Sequence, residues 1–147
     1  MINRYRNRTS SFVEKKMSGE KDLALLLQNM EPVLNSGNYV FCTIENLNQI
    51  PNMEKLLFFF RETEAITVVL EKSVADEWNF AYTYISSWIT LNIHSSLEAV
   101  GLTAAFANTL KHENISCNVV AAYFHDHIFV GKEDAGKAME ALRKMSL

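Results

Sequence analysis

The sequence predicts an α+β fold built from two small modules, and three observations carry that expectation. Short runs rich in β-branched and aromatic residues recur at residues 39–44, 66–70, 85–93 and 115–124, as strands require. Apolar residues return at helical spacing over residues 23–33, 97–112 and 133–145. From residue 85 onward the order is strand, helix, strand, strand, helix, and a degenerate version of that order precedes it.

Composition sets the bounds. The chain has 147 residues, of which 48% are hydrophobic and 21% charged, inside the globular range and away from the disordered one. At this length folding buries roughly 70% of the exposed surface, so no metal or disulfide staple is needed. Five Gly and two Pro exclude collagen-like and linker-rich architectures, and no apolar run approaches a membrane span. Cys42 and Cys117 sit in apolar, strand-like runs and are expected to be core thiols in a reducing compartment. No apolar h-region follows the first residues, so a cytoplasmic protein is expected.

Charge is distributed unevenly. Five of the 14 basic residues but only one of the 17 acids fall before Met17, which leaves nine basic and 16 acidic residues in the body. A body that acidic repels polyanions, so no nucleic-acid partner is expected. Residues 1–16 are expected to form a disordered basic arm, and Met17 is a candidate translation start.

Leu23, Leu26, Leu27, Met30 and Val33 lie on one face of a helix behind the acidic turn at residues 20–22. Pro32 and the cluster at residues 35–38 end it, and residues 39–44 form a strand. After a polar loop, Phe58, Phe59 and Phe60 favour a strand that returns through residues 65–70 as a hairpin. Residues 73–77 suggest one or two helical turns. In the next strand Ile85, Ser87, Ile89, Leu91 and Ile93 share one face, with Ser86, Trp88, Thr90 and Asn92 on the other. Ser95 and Glu98 match a capping box, which predicts a helix from about residue 97 to His112. A strand at residues 115–124, a hairpin near residues 123–126, a strand at 127–130 and a helix at 133–145 complete the chain.

The second half thus stops where a fourth strand would complete a ferredoxin-like βαββαβ unit. An exposed apolar sheet edge invites aggregation, so a strand from the first half is expected to cover it. Two tandem, intertwined modules follow, at residues 17–80 and 81–147.

The run Gly101-Leu102-Thr103-Ala104-Ala105-Phe106, with Leu110 and Ile115-Ser116-Cys117-Asn118-Val119, resembles the ACT domain family as found in aspartate kinase regulatory domains. His94-Ser95-Ser96-Leu97-Glu98-Ala99-Val100-Gly101 together with Tyr123-Phe124-His125-Asp126-His127 is similar to short bacterial proteins made of two ACT-like modules, with the cytosolic arginine sensors as distant relatives. The resemblance covers roughly residues 18–146 and includes Phe59-Phe60-Arg61-Glu62-Thr63-Glu64-Ala65-Ile66-Thr67. It implies a regulatory domain that binds an amino acid between modules, commonly as a homodimer, and no kinase chemistry.

The same resemblance places the ligand at His94, Ser95, Ser96, Leu97, Glu98, Ala99, Val100 and Gly101, where a helix N-terminus suits a carboxylate. Glu98 would attract an ammonium, and Asn118 matches an effector-site Asn. The alternative is that Ser95 and Glu98 only cap a helix and Gly101 only permits close packing. Arg61, Glu62 and Glu64 read best as a solvated turn. His125 and His127 are weak metal candidates by spacing, and no metal or cofactor is expected. No Gly-x-Ser-x-Gly elbow, phosphate loop or dinucleotide fingerprint is present. The expectation is an amino-acid-responsive regulatory protein, against a ligand-free interaction module or an enzyme using the two histidines.

Overall fold

The computed structural model describes residues 22–146, so the basic arm and the candidate start at Met17 lie outside the described residues. In chain order the elements are α1 (Leu23–Asn29), β1 (Pro32–Leu34), β2 (Tyr39–Ile44), β3 (Leu56–Arg61), β4 (Ile66–Glu71), α2 (Lys72–Glu77), β5 (Ile85–Leu91), α3 (Leu102–His112), β6 (Asn118–Ala121), β7 (Asp126–Gly131) and α4 (Ala135–Lys144). The strands form one antiparallel sheet in the order β3-β4-β2-β5-β7-β6, with β1 also paired to β5.

Around β5 the strand order β1-β5-β7-β6 is that of a ferredoxin-like unit whose fourth strand, β1, comes from the first half of the chain. Around β2 the order β5-β2-β4-β3 is the same arrangement with β5 as the fourth strand. Each module therefore borrows a strand from the other, which covers the edge that the sequence left open.

The expected first helix is shorter than its apolar periodicity. It stops at Asn29, and Pro32 opens a strand instead, because Pro cannot continue a helix and the edge of β5 accepts Val33 and Leu34 opposite Thr90 and Ile89. Asp22 caps this helix by accepting from the Leu25 N–H at 3.1 Å. β1 and β2 run along the same edge of β5, with Leu34 opposite Ile89 and Tyr39 opposite Ser86. Four residues on one side face two on the other, so β1 and β2 are one long strand broken by a two-residue bulge. Gly37, at φ 87°, makes that bulge sterically accessible.

Two apolar cores lie on the helix-bearing face. Phe106 and Leu110 of α3 and Ala138 and Leu142 of α4 pack on Ile89, Leu91, Ile128 and Val130, with Leu26 of α1 added. The other core joins Val40, Cys42, Ile44, Val68 and Leu70 beneath Ala75 of α2. The opposite face carries no helix, yet Val69 and Phe129 on it are fully buried. Phe58 on β3 and Phe129 on β7 are separated by four strand spacings, about 19 Å in a flat sheet, but their ring centroids are 5.9 Å apart. Phe41 on β2 also meets Phe129, at 5.4 Å. The sheet curls inward on its helix-free side, and the seam is where β2 and β5 pair through two residues only. Ser86 closes that seam by donating its hydroxyl to the Tyr39 carbonyl at 2.8 Å.

Candidate functional site

The loop at residues 92–101 connects β5 to α3. The expected capping box does not form. Ser95 is buried, and its hydroxyl turns toward the Asp126 carboxylate at 3.4 Å, so it is not available to a helix start. Ser96 takes over a local turn instead: its Oγ accepts from the Glu98 N–H at 3.2 Å, and its carbonyl accepts from the Ala99 N–H at 2.9 Å. The helix begins five residues later than expected, at Leu102. Leu97 and Val100, counted into its apolar stripe, are instead exposed at 68% and 83%.

Gly101 precedes the helix with φ 95°. A side chain there would be strained by the backbone, and its Cβ would also lie 3.1 Å from Leu23 Cδ2. The first amides of an α-helix have no intrahelical acceptor, and Gly101 offers them no side-chain cap. The start of α3 thus lacks a side-chain cap, while around Ser96 the Ser95, Glu98 and Ala99 amides are bonded within the loop.

The far wall of the loop is the turn between β6 and β7. His94 stacks against Phe124, with centroids 5.3 Å apart, and against Tyr123 at 6.3 Å. His125 Nδ1 lies 3.3 Å from the Ile93 carbonyl. Burial raises the carboxyl pKa of Asp126, an effect opposed by the Ser95 hydrogen bond and by the neighbouring His127 and His125.

Asn118 is not part of this cluster. It opens β6 opposite Phe129, with its Nδ2 3.4 Å from the Phe129 carbonyl. The loop leaves β5 beyond Leu91, which faces Asp126. Three residues of β7, about 10 Å, separate the two rows. One chain therefore brings His94, Ser95, Ser96, Leu97, Glu98, Ala99, Val100 and Gly101 together but leaves Asn118 at the other end of the strand.

His127 lies on the helix-free face, where its Nδ1 accepts from the Trp88 indole N–H at 3.0 Å and lies 3.2 Å from the Thr90 hydroxyl. Desolvation lowers its pKa, so the ring is held neutral. Among the described residues no group of three or more His, Cys, Asp or Glu side chains is placed to hold a metal ion. Burial pushes the thiols of Cys42 and Cys117 up to about 11, which makes both poor nucleophiles. The residues that sequence reasoning passed over are those of the seam, Trp88 and Phe129 among them. The available signal was the alternating half of β5 and β7 that no helix covers.

Two matches to known domains fit this architecture. Residues 18–87 match one ACT domain model and residues 84–144 match another, so the chain belongs to the ACT domain family as a tandem pair. The two matches overlap at residues 84–87, the start of the strand that serves both modules. A Vibrio cholerae protein of unknown function, described as a possible transport protein, is 48% identical. Its alignment covers 86% of this chain and 98% of that one, with a TM-score of 0.77. The ligand-free regulatory subunit of aspartate kinase from Thermus thermophilus shares the fold at 8% identity and a TM-score of 0.59, over 81% of this chain and 97% of that one. A putative C-terminal regulatory domain of aspartate kinase from Porphyromonas gingivalis does so at 14% identity and a TM-score of 0.53, over 82% and 99% of the two chains. No curated protein matches the sequence significantly. No helix among the described residues is long and apolar enough to cross a membrane.

Proposed function

We propose that this protein is a regulatory module that binds a small metabolite, an amino acid, at the start of α3 and reports it through a change in how modules or subunits pack. The observation that carries the reading is the entry to α3. An 11-residue helix begins at a left-handed glycine that supplies no cap, directly behind a loop in which the Ser95, Glu98 and Ala99 amides are already bonded. A ligand carboxylate would complete that first turn and meet the positive end of the helix dipole. Glu98, exposed on the loop, is the candidate partner for the ammonium.

A further observation favours a protein partner at the same end. Leu97, Val100, Tyr123 and Phe124 are all more than half exposed around this loop. A second copy of the chain seated there would bring its own Asn118 or loop to the ligand and would couple binding to assembly. The acidic body argues against nucleic acid, and the cytoplasm is the compartment that suits two reduced thiols.

Isothermal calorimetry with each of the twenty amino acids tests the reading. One of them should release heat saturably and raise the thermal midpoint, as mass-action linkage requires. Absence of heat with all twenty would leave the loop as a packing element of an interaction module.

A further inference from the structure

The curled helix-free face forms a half-open cavity of about 120 Å³ at the seam, apart from the residue 92–101 loop and from α3. Its walls come from both halves of the molecule: Leu57 and Phe58 from β3, Trp88 from β5, Val120 from β6, and His127 and Phe129 from β7. A cavity of about 150 Å³ lined by aliphatic and aromatic side chains takes up benzene, so this space is on the scale of one six-membered ring. No charged side chain lines it. A carboxylate or ammonium seated among these side chains would meet no charged partner, which disfavours a zwitterionic amino acid.

One polar group gives the cavity a chemical preference. The Trp88 indole is a donor only, so the nitrogen that receives it at 3.0 Å, His127 Nδ1, carries no proton. The neutral ring therefore bears its proton on Nε2. With Nδ1 committed to Trp88, Nε2–H is the ring's remaining donor, on a residue that lines the cavity. Burial, which disfavours the imidazolium, keeps the ring in that form at neutral pH. We propose that the seam cavity is a binding site for a small, neutral, monocyclic aromatic molecule carrying one hydrogen-bond acceptor, which His127 Nε2–H engages. Because Phe58 and Leu57 belong to one half and Trp88, His127 and Phe129 to the other, such a guest would wedge the seam and set how tightly the sheet curls. The site is independent of the amino-acid reading and would stand or fall without it.

The test follows the Trp88 indole N–H by NMR in the full chain, with phenol, benzene and benzoate as ligands. The chain has two tryptophans, so two indole resonances are expected, and Trp88→Phe assigns the one in question. Phenol should shift that resonance saturably and bind about threefold to tenfold more tightly than benzene, the value of one neutral hydrogen bond. Benzoate should not bind. Val120→Phe and, separately, Ala122→Leu, a residue that also lines the cavity, fill the space. Each should weaken phenol binding about tenfold or more while the other indole resonance stays in place, as it does in a folded chain. His127→Phe should erase the preference for phenol over benzene. A shift that fails to saturate, phenol affinity untouched by both filling variants, or benzoate binding as well as phenol would each overturn the proposal. An amino acid displacing phenol from the cavity would do so too, whereas calorimetric silence with amino acids would bear only on the α3 site.

Discussion

The two modules share a sheet and a strand order but differ in the segment that follows their first strand. In the second module that segment is an open loop leading to an 11-residue helix through Gly101. In the first, residues 45–55 make two short 3-10 turns and no α-helix. Those turns satisfy themselves. Asn46 accepts from the Asn48 N–H at 3.0 Å, Gln49 Oε1 accepts from the Asn46 and Glu45 N–H groups at 3.1 and 2.7 Å, and Asn52 accepts from the Glu54 N–H at 2.9 Å. A loop whose donors are used by its own side chains has little to offer an anion. The comparison teaches that two modules of one sheet can use their loop donors differently: the first bonds them to its own side chains, whereas the second leads through Gly101 into a helix without a side-chain cap.

The most forceful way to break that comparison is to ask whether the halves are separate at all. Phe106→Ala, in the core of the second module, should cost about 3–5 kcal/mol. If the exchanged strands make one cooperative unit, Trp78 in the first core and Trp88 on β5 will report the same lowered urea midpoint. Two midpoints, with Trp78 unmoved, would mean that the modules unfold independently. Gly101→Ala sharpens the contrast at the loop. It should destabilise by about 1–3 kcal/mol because of its positive φ and the contact with Leu23, and it should abolish the calorimetric response to the amino acid. Asn46→Ala is the counterpart in the first module. Losing that cap should cost about 1 kcal/mol by urea denaturation and leave the ligand response unchanged.

The smallest expected effect concerns pH and separates β7 from its counterpart β4. Both strands bury their positions in nearly the same pattern, but where β4 carries Ile66 and Thr67, β7 carries Asp126 and His127. His127 has its pKa lowered by burial, so below about pH 6.5 the unfolded chain takes up a proton that the native state refuses, and stability falls as the pH drops toward the native value. Asp126 has its pKa raised, so its native form holds a proton that the unfolded chain has lost. Its destabilising contribution appears as the pH rises above about 3.9 and is complete above the native value. Asp126→Asn should therefore raise stability at pH 7 and leave it unchanged at the acidic end, and His127→Gln should flatten the slope between pH 7 and 5. Urea midpoints measured from pH 4 to 8 decide both.

Much of the architecture was legible because local pattern and tertiary role agree. The alternation from Ile85 to Leu91 and the amphipathic α4 appear where periodicity puts them, and β3 where its phenylalanine triplet favours a strand. Two elements were misread for a common reason. Val33 extends the apolar face of α1 and Leu97 that of α3, yet Val33 pairs with β5 and Leu97 is exposed. Periodicity cannot register a sheet edge that needs a partner, nor a glycine with left-handed dihedrals placed after the apolar residues. The serines illustrate the limit at the site. Ser-x-x-Glu spells a cap, but Ser95 faces Asp126, 31 positions away in sequence, a contact only the folded chain reveals. Nor does anything local say that Phe58 and Phe129 touch, since their meeting depends on the curl of the whole sheet.

The reciprocal loan of strands has one more implication. Because β1 completes the later half and β5 completes the earlier one, no single cut in the backbone yields two whole units. A fragment beginning near residue 81 would leave one flank of β5 bare, and a fragment ending there would lack the ribbon that closes β2. The molecule has two addresses in its sequence but one continuous sheet.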